Sequence, residues 1–168
     1  MTTSQGTPRP AQFGYTPPPP PRKIGVFTVT AAGERLGLPV GCVHTIFRVS
    51  KITPVPLGPP EIVGLVNLRG KIVTAVSLRR RLGLPDGASH EDAIAIGIEH
   101  RGESFALLVD EVGDVVTVSD DSRIAAPANL SPTRVSVTSA VYRLEHEFIS
   151  VFDMDAILEF GRASGVRQ

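Results

Sequence analysis

The chain has 168 residues, enough for one domain with a real core, and its 17 Lys and Arg balance 17 Asp and Glu. That balance removes any global steering toward nucleic acid or anionic lipid. One cysteine, Cys42, excludes an intramolecular disulfide, and no apolar run nears the roughly 18 residues of a membrane span.

A cytosolic protein without direct membrane insertion is therefore expected, since the N-terminus also lacks the basic start and apolar core of a secretory signal. Fifteen prolines, no tryptophan and many Val and Ile point to an all-β class of short strands and many turns. Residues 1–22 hold the run Pro17 to Pro21 among Ser, Thr, Gln and Gly; this composition buries no core and is read as a disordered tail. The run itself suits extended polyproline II, either as a passive tail or as a ligand for an aromatic-lined groove.

Ile24 to Thr30 alternates as a first strand, Ala32-Gly33 turns it, and Arg35 to Leu38 returns. Val40, Val43, Ile46 and Phe47 carry helical spacing, so a helical turn running into a strand is predicted. Pro54, Pro56, Pro59 and Pro60 then delay the next central strand until Ile62. From Ile62 to Leu84 two Val- and Ile-rich runs of period two flank Asn67-Leu68-Arg69-Gly70, which predicts a hairpin. Arg suits the positive φ of a type I′ turn poorly, so a type I turn with only Gly70 left-handed is expected. Such a turn lifts the Arg69 guanidinium off the sheet, while Asn67 ties down the loop. Leu78, Leu82 and Leu84 around Arg79-Arg80-Arg81 suggest one short helical turn with a basic outer face, and Pro85-Asp86-Gly87 ends this half.

The second half repeats the style. Ile94 to Ile98 alternates, His100-Arg101-Gly102 turns, and Ser104 to Val109 is more continuously apolar. Asp110 to Gly113 is expected to bend the chain before a strand over Asp114 to Val118. A loop spans Ala125 to Pro132, and Val135 to Leu144 with Phe148 to Phe152 reads as a hairpin around Glu145-His146. Asp153 is a candidate N-cap for a short helix over Met154 to Phe160. About ten short strands with regular turns mean a sandwich or barrel, here two small closed sheets.

Catalytic chemistry finds no footing. His44, His90, His100 and His146 share no metal-ligand spacing, and a zinc site lacks a second cysteine. Cys42 reads as a small core residue. Gly64 to Lys71 superficially resembles a phosphate loop but has one residue too many between its glycines, and Ile72 where a Ser or Thr must bind magnesium. Asp110, Glu111, Asp114, Asp120 and Asp121 lack the alternation of a calcium loop. No catalytic residues, cofactors or metals are expected, and the chain is read as a non-enzyme. Charge is nevertheless segregated: Arg69, Lys71, Arg79, Arg80 and Arg81 stand together, while acids dominate from Asp86 to Asp121. This suggests a basic patch and an acidic face for different partners. Few aromatics and the acidic half argue against nucleic acid as a partner.

The string Gly64-Leu65-Val66-Asn67-Leu68-Arg69-Gly70-Lys71-Ile72 resembles the G-x-x-N-L-R-G-x-(I/V) signature of the CheW-like domain family, which supplies the coupling protein of bacterial chemotaxis and recurs inside the histidine kinase CheA. Leu78 to Leu84 resembles the family's D-L-R-x-x-L-G-L, Val109-Asp110-Glu111-Val112 its V-D-x-V turn, and Phe152-Asp153 with Ile157-Leu158 its closing strand and helix. The resemblance covers roughly Arg22 to Gly161. It implies two packed five-stranded SH3-like barrels over residues 23–162, with a changeover near 85–92, and a flexible C-terminus over 163–168. It further implies a non-catalytic adaptor that joins the cytoplasmic tips of methyl-accepting chemoreceptors to the CheW-like regulatory domain of CheA. Such an adaptor would sit at membrane-anchored receptor arrays, with a groove between the barrels receiving the receptor helix. Matched partner-binding positions are Val43, Thr45, Gly64, Asn67, Arg69 and Gly70, with Ile94 and Val115 as apolar groove positions. Ser77, Thr74 and Thr45 depart from the family's usual Asp, Pro and acidic residue. The alternative is a generic SH3-like module for a peptide or nucleic acid.

Overall fold

The computed structural model describes Gly6, residues 14–87 and residues 89–160. The rest of the expected tail and the expected flexible C-terminus lie outside the described residues, and residues 14–22 carry neither helix nor strand. The period-two runs form strands: β1 (Lys23–Ala31), β2 (Glu34–Pro39), β3 (Val43–Arg48), β4 (Ile62–Leu68), β5 (Lys71–Ser77), β6 (Ile94–His100), β7 (Glu103–Val109), β8 (Glu111–Ser119), β9 (Arg123–Ile124), β10 (Thr138–Arg143) and β11 (Phe148–Phe152). Three short helices accompany them: α1 (Leu78–Arg81), α2 (Pro132–Val137) and α3 (Met154–Ile157).

These strands build two sheets, a first of order β8-β1-β2-β11-β10-β9 and a second of order β3-β6-β7-β5-β4. The all-β architecture matches expectation, and the two-residue β9 makes the first sheet six-stranded. The changeover, however, does not fall near 85–92. Strands β6 and β7 follow that loop and still pair with β3 and β5 of the second sheet. The chain begins in the first sheet, leaves it through a 3-10 turn at Val40–Cys42, builds the whole second sheet, and returns at Asp110. Pro85-Asp86-Gly87 marks a loop, and loop chemistry alone cannot say with which sheet the next strand will pair.

The core has three parts. Val49, Val66, Val73, Ala75, Ala95, Ala106 and Leu108 fill the inner side of the second sheet. Val26, Val118, Tyr142, Ile149 and Val151 do the same for the first. The largest cluster takes Phe27, Val29, Leu36 and Leu38 from the first sheet and Val76, Ile96, Ile98, Leu107 and Val109 from the second. The two sheets are therefore joined back to back through one shared apolar layer, which Leu78, Leu82, Met154 and Ile157 close at its edges. Each fully buried Leu or Ile in it contributes roughly 1.5–3 kcal/mol by transfer from water.

Other details differ from the expectations. Residues 135–137 are helical, because Ser131 accepts a hydrogen bond from Arg134 N at 3.3 Å and Pro132 supplies the first turn. Strand β8 begins at Glu111 rather than Asp114, and the bend is absorbed by a bulge where β1 shifts register between Phe27 and Val29. Helix α3 stops at Ile157, although Asp153 caps it as expected, accepting from Asp155 N at 2.9 Å.

Asp110 fastens the return crossing. Its carboxylate accepts from Arg79 Nε and Nη2 at 2.9 and 2.6 Å, and from Ala32 N at 2.7 Å. One side chain thus ties α1 of the second sheet to the β1–β2 turn of the first. The Arg79 hydrogen bonds hold the Asp110 carboxyl below the usual carboxylate range. A lowered folded-state value contributes stability that is present above the unfolded value near 3.9 and is lost as pH falls through the folded one. Asp110→Asn should therefore melt lower than the native chain at pH 7, and the difference should shrink as pH drops below about 4 in calorimetric melts. A gap independent of pH would show that the carboxylate charge is not what matters.

Gly64 sits in a bulge of β4 under the chain that precedes it: a Cβ there would lie 2.3 Å from Thr53 O. Leu65 and Thr53 exchange both backbone hydrogen bonds at 2.8 Å across this contact. Gly64→Ala should cost about 1–3 kcal/mol by overpacking, read as a lowered denaturant midpoint. Gly70→Ala, where the space is open, should cost only about 1 kcal/mol through its left-handed backbone (φ +82).

Candidate partner-binding site

Two separate arrangements stand out. The first is the β4–β5 hairpin. Leu68 pairs with Lys71, which leaves a two-residue loop of Arg69 and Gly70. Both have positive φ, 53° and 82°, so the turn is of the primed kind and the expected type I geometry is corrected. A primed turn matches the right-handed twist of the flanking strands. Asn67 Oδ1 accepts from Gly70 N at 2.8 Å and anchors the loop, as expected of that residue. Arg69 is exposed, and its guanidinium makes no hydrogen bond or ion pair with any other described residue.

The second arrangement is a set of apolar side chains at the rim of the shared apolar layer, contributed by β3, β6, β8 and the 3-10 turn at Val40–Cys42. Val43 and Ile94 pack partly buried against that layer. Val115 pairs with Phe27, so it points to the same side of the first sheet, and it is 55% exposed. Val40, in the 3-10 turn, lies over Gly25 beside Val115; their Cγ1 atoms are 3.0 and 3.8 Å from where a Gly25 Cβ would be. Ile46 pairs with Ile96 of the shared layer and is 46% exposed. Val43, Ile94 and Val115 thus all face the side of their sheets that carries the shared layer. Val40 and Ile46 are exposed on that side as well, and their helical spacing in the sequence hid which of them would face outward.

The other matched positions divide. Thr45 is half-buried opposite Gly97, on the inner side of the second sheet, and lines a shallow hollow of about 100 Å³ with Leu68, Ser104 and Phe105. It therefore belongs with the hairpin rather than with the apolar rim. Gly64 is buried and structural, and any influence on a partner passes through the fold.

The basic patch does not form. Arg79 is taken by Asp110, Arg80 by Asp86 at 2.8 Å, and Arg81 donates to the carbonyls of Ile157 and Ala156 at 2.9 and 2.6 Å. Lys71 Nζ reaches Ser104 Oγ at 3.1 Å. The sequence showed the arginines adjacent but not the acids and carbonyls that the fold brings to them. Ser77, standing where the family has Asp, still caps α1 by accepting from Arg80 N at 3.3 Å.

Cys42 packs against the shared layer, and burial, with the nearby Asp155 carboxylate, pushes its thiol up and away from the reactive thiolate. Among the described residues no three His, Cys, Asp or Glu side chains stand close enough to hold a metal ion. No described helix is long and apolar enough to cross a membrane.

The family model of the CheW-like domain matches residues 25–161. Chemotaxis protein CheW of Bacillus subtilis (strain 168) is 33% identical over 138 residues, covering 82% of this chain and 86% of that one. Chemotaxis protein CheW of Rhizobium meliloti (strain 1021) is 30% identical over 105 residues, covering 62% and 68%. The crystal structure of scaffolding protein TtCheW from Thermoanaerobacter tengcongensis superposes with a TM-score of 0.69 at 25% identity, covering 79% of this chain and 90% of that one. With its two sheets, its N-L-R-G hairpin and a family match over most of its length, the chain belongs to the CheW-like domain family of chemotaxis scaffold proteins.

Proposed function

We propose that this protein is a non-catalytic adaptor that couples the cytoplasmic tips of methyl-accepting chemoreceptors to the histidine kinase CheA. The observation that carries the proposal is the presence, on one fold, of exposed apolar residues at the rim of the shared layer and of an arginine at a tied-down hairpin without a partner among the described residues. The apolar rim of Val43, Ile94, Val115, Val40 and Ile46 would receive the apolar stripe of a receptor helix, anchoring it at successive turns. Arg69 offers a planar fork to a carboxylate or to helix-end carbonyls on the CheW-like regulatory domain of CheA. Thr45, on the hairpin side, borders the same contact. Asn67 and Gly70 act by fixing where Arg69 projects.

Coupling on this view requires no bond to be made or broken. The shared apolar layer and the Asp110 clamp hold the two sites in one geometry, so the adaptor sets the relative placement of receptor and kinase. Its place is the cytoplasm, recruited to membrane-anchored receptor arrays. No residue of either site has the partners that a nucleophile or a general acid needs.

Arg69→Glu should weaken binding to purified CheA by about 30-fold or more while leaving the melting temperature unchanged, measured by titration calorimetry. Native affinity in this variant would remove Arg69 from the interface. Ile46→Asp and Val115→Asp should each weaken binding of a receptor cytoplasmic fragment by about tenfold and leave CheA binding intact. Loss of both bindings together would mean that the two sites are not separate.

A further inference from the structure

The adaptor role leaves one feature of the chain unused, the proline run before β1. We infer that residues 16–22 are a polyproline II ligand, presented outward for a partner domain that has an aromatic-lined groove ending in an acidic pocket. The inference is independent of the coupling role.

Polyproline II has three residues per turn, so residues three apart share an edge. Pro17 and Pro20 then lie along one edge, while Thr16, Pro19 and Arg22 lie along the next. Two adjacent edges, one closing on a cation, form the surface that aromatic grooves read: the rings clasp the prolines and a carboxylate takes the arginine. The spacing Pro17-x-x-Pro20-x-Arg22 supplies that surface, and the neighbouring register Pro18-x-x-Pro21-x-Lys23 ends on a residue already paired with Ser119 in β1.

The structure adds three observations. Every residue from 14 to 22 is exposed, so no part of the run is used in packing. The segment is rooted: Arg22 O accepts from Asp120 N at 3.1 Å, and Lys23 pairs with Ser119 at the start of β1. The ligand therefore leaves the body from a fixed point. The Arg22 side chain forms no hydrogen bond or ion pair with another described residue, so its charge is available. The described residues offer this segment no aromatic-lined groove. Tryptophan is absent, and apart from Tyr15 the only aromatic side chain strongly exposed among the described residues is Phe148, which stands alone at the start of β11. Recognition of this kind must come from another protein. Such ligands lose little conformational entropy on binding, because proline has already fixed the backbone.

The test uses the full chain and, as probe, a purified SH3 domain whose groove carries the aromatic rings and an acidic specificity pocket. Titration with the native chain should show saturable binding with a micromolar dissociation constant. Arg22→Glu should weaken it about tenfold or more, and Pro17→Gly with Pro20→Gly should do the same. Melting temperatures of all variants should match the native chain, since the segment is exposed throughout. Equal binding by the Arg22→Glu chain, or no saturable binding by the native one, overturns the inference. A variant that melts several degrees lower would also overturn it, by giving the segment a structural role.

Discussion

Everything in this molecule depends on the apolar layer that the two sheets share. A small sheet normally buries one face and leaves the other to water, which gives clean alternation. Here β7 must bury both faces: Phe105, Leu107 and Val109 enter the shared layer, while Ala106 and Leu108 enter the second sheet's own interior. That is why its sequence is almost continuously apolar whereas β3 and β8, at the sheet edges, carry His44, Arg48, Glu111 and Asp114. The layer holds the two sheets against each other, and with them the edge strands β3 and β8. Its cohesion is non-directional, however, and would tolerate some sliding of one sheet over the other.

Directional contacts remove that freedom. The three arginines of α1 are divided among three neighbours: Arg79 to the crossing at Asp110, Arg80 to Asp86, and Arg81 to the last carbonyls of α3. Each of these contacts alone is modest, because all are partly solvated. Their importance is geometric, since they converge on one short helix at the edge of the shared layer. The Asp110 carboxylate also reaches the Ala32 amide, so the tightest turn of the first sheet is tied to the helix of the second.

Most of the architecture was legible because it is written in local pattern. Period-two runs gave the strands, Gly and Pro gave the turns, and Asp153 announced α3. What was not legible depended on distance. Loop residues at 85–92 say that a strand ends and nothing about the sheet in which the next one pairs. Arg79 and Asp110 occupy two separate family motifs, and their contact over 31 residues of sequence is invisible until the fold closes it. Adjacent charges looked like a surface patch for the same reason. Ser131-Pro132 was a readable helix start that the apolar run after it obscured.

The apolar positions Val43, Ile94 and Val115 were found singly, through the resemblance; the hairpin was found whole, but with the wrong turn. That error is itself informative. Three two-residue hairpins place a non-glycine residue at positive φ before a glycine, at Ala32, Arg69 and Arg101. A left-handed residue of this kind costs roughly 1–2 kcal/mol. At Ala32 the turn is held by Asp110, and the Arg101 guanidinium pairs with Asp155 at 2.9 Å. At Arg69 the turn is held by Asn67 alone, and the guanidinium has no partner among the described residues. A long cation at a strained position contributes nothing to the fold that a smaller residue could not. The strain itself is offset by the hairpin, whose primed turn matches the twist of β4 and β5; what sets Arg69 apart from Ala32 and Arg101 is an exposed guanidinium without a partner among the described residues, and the proposed contact with CheA rests on that feature.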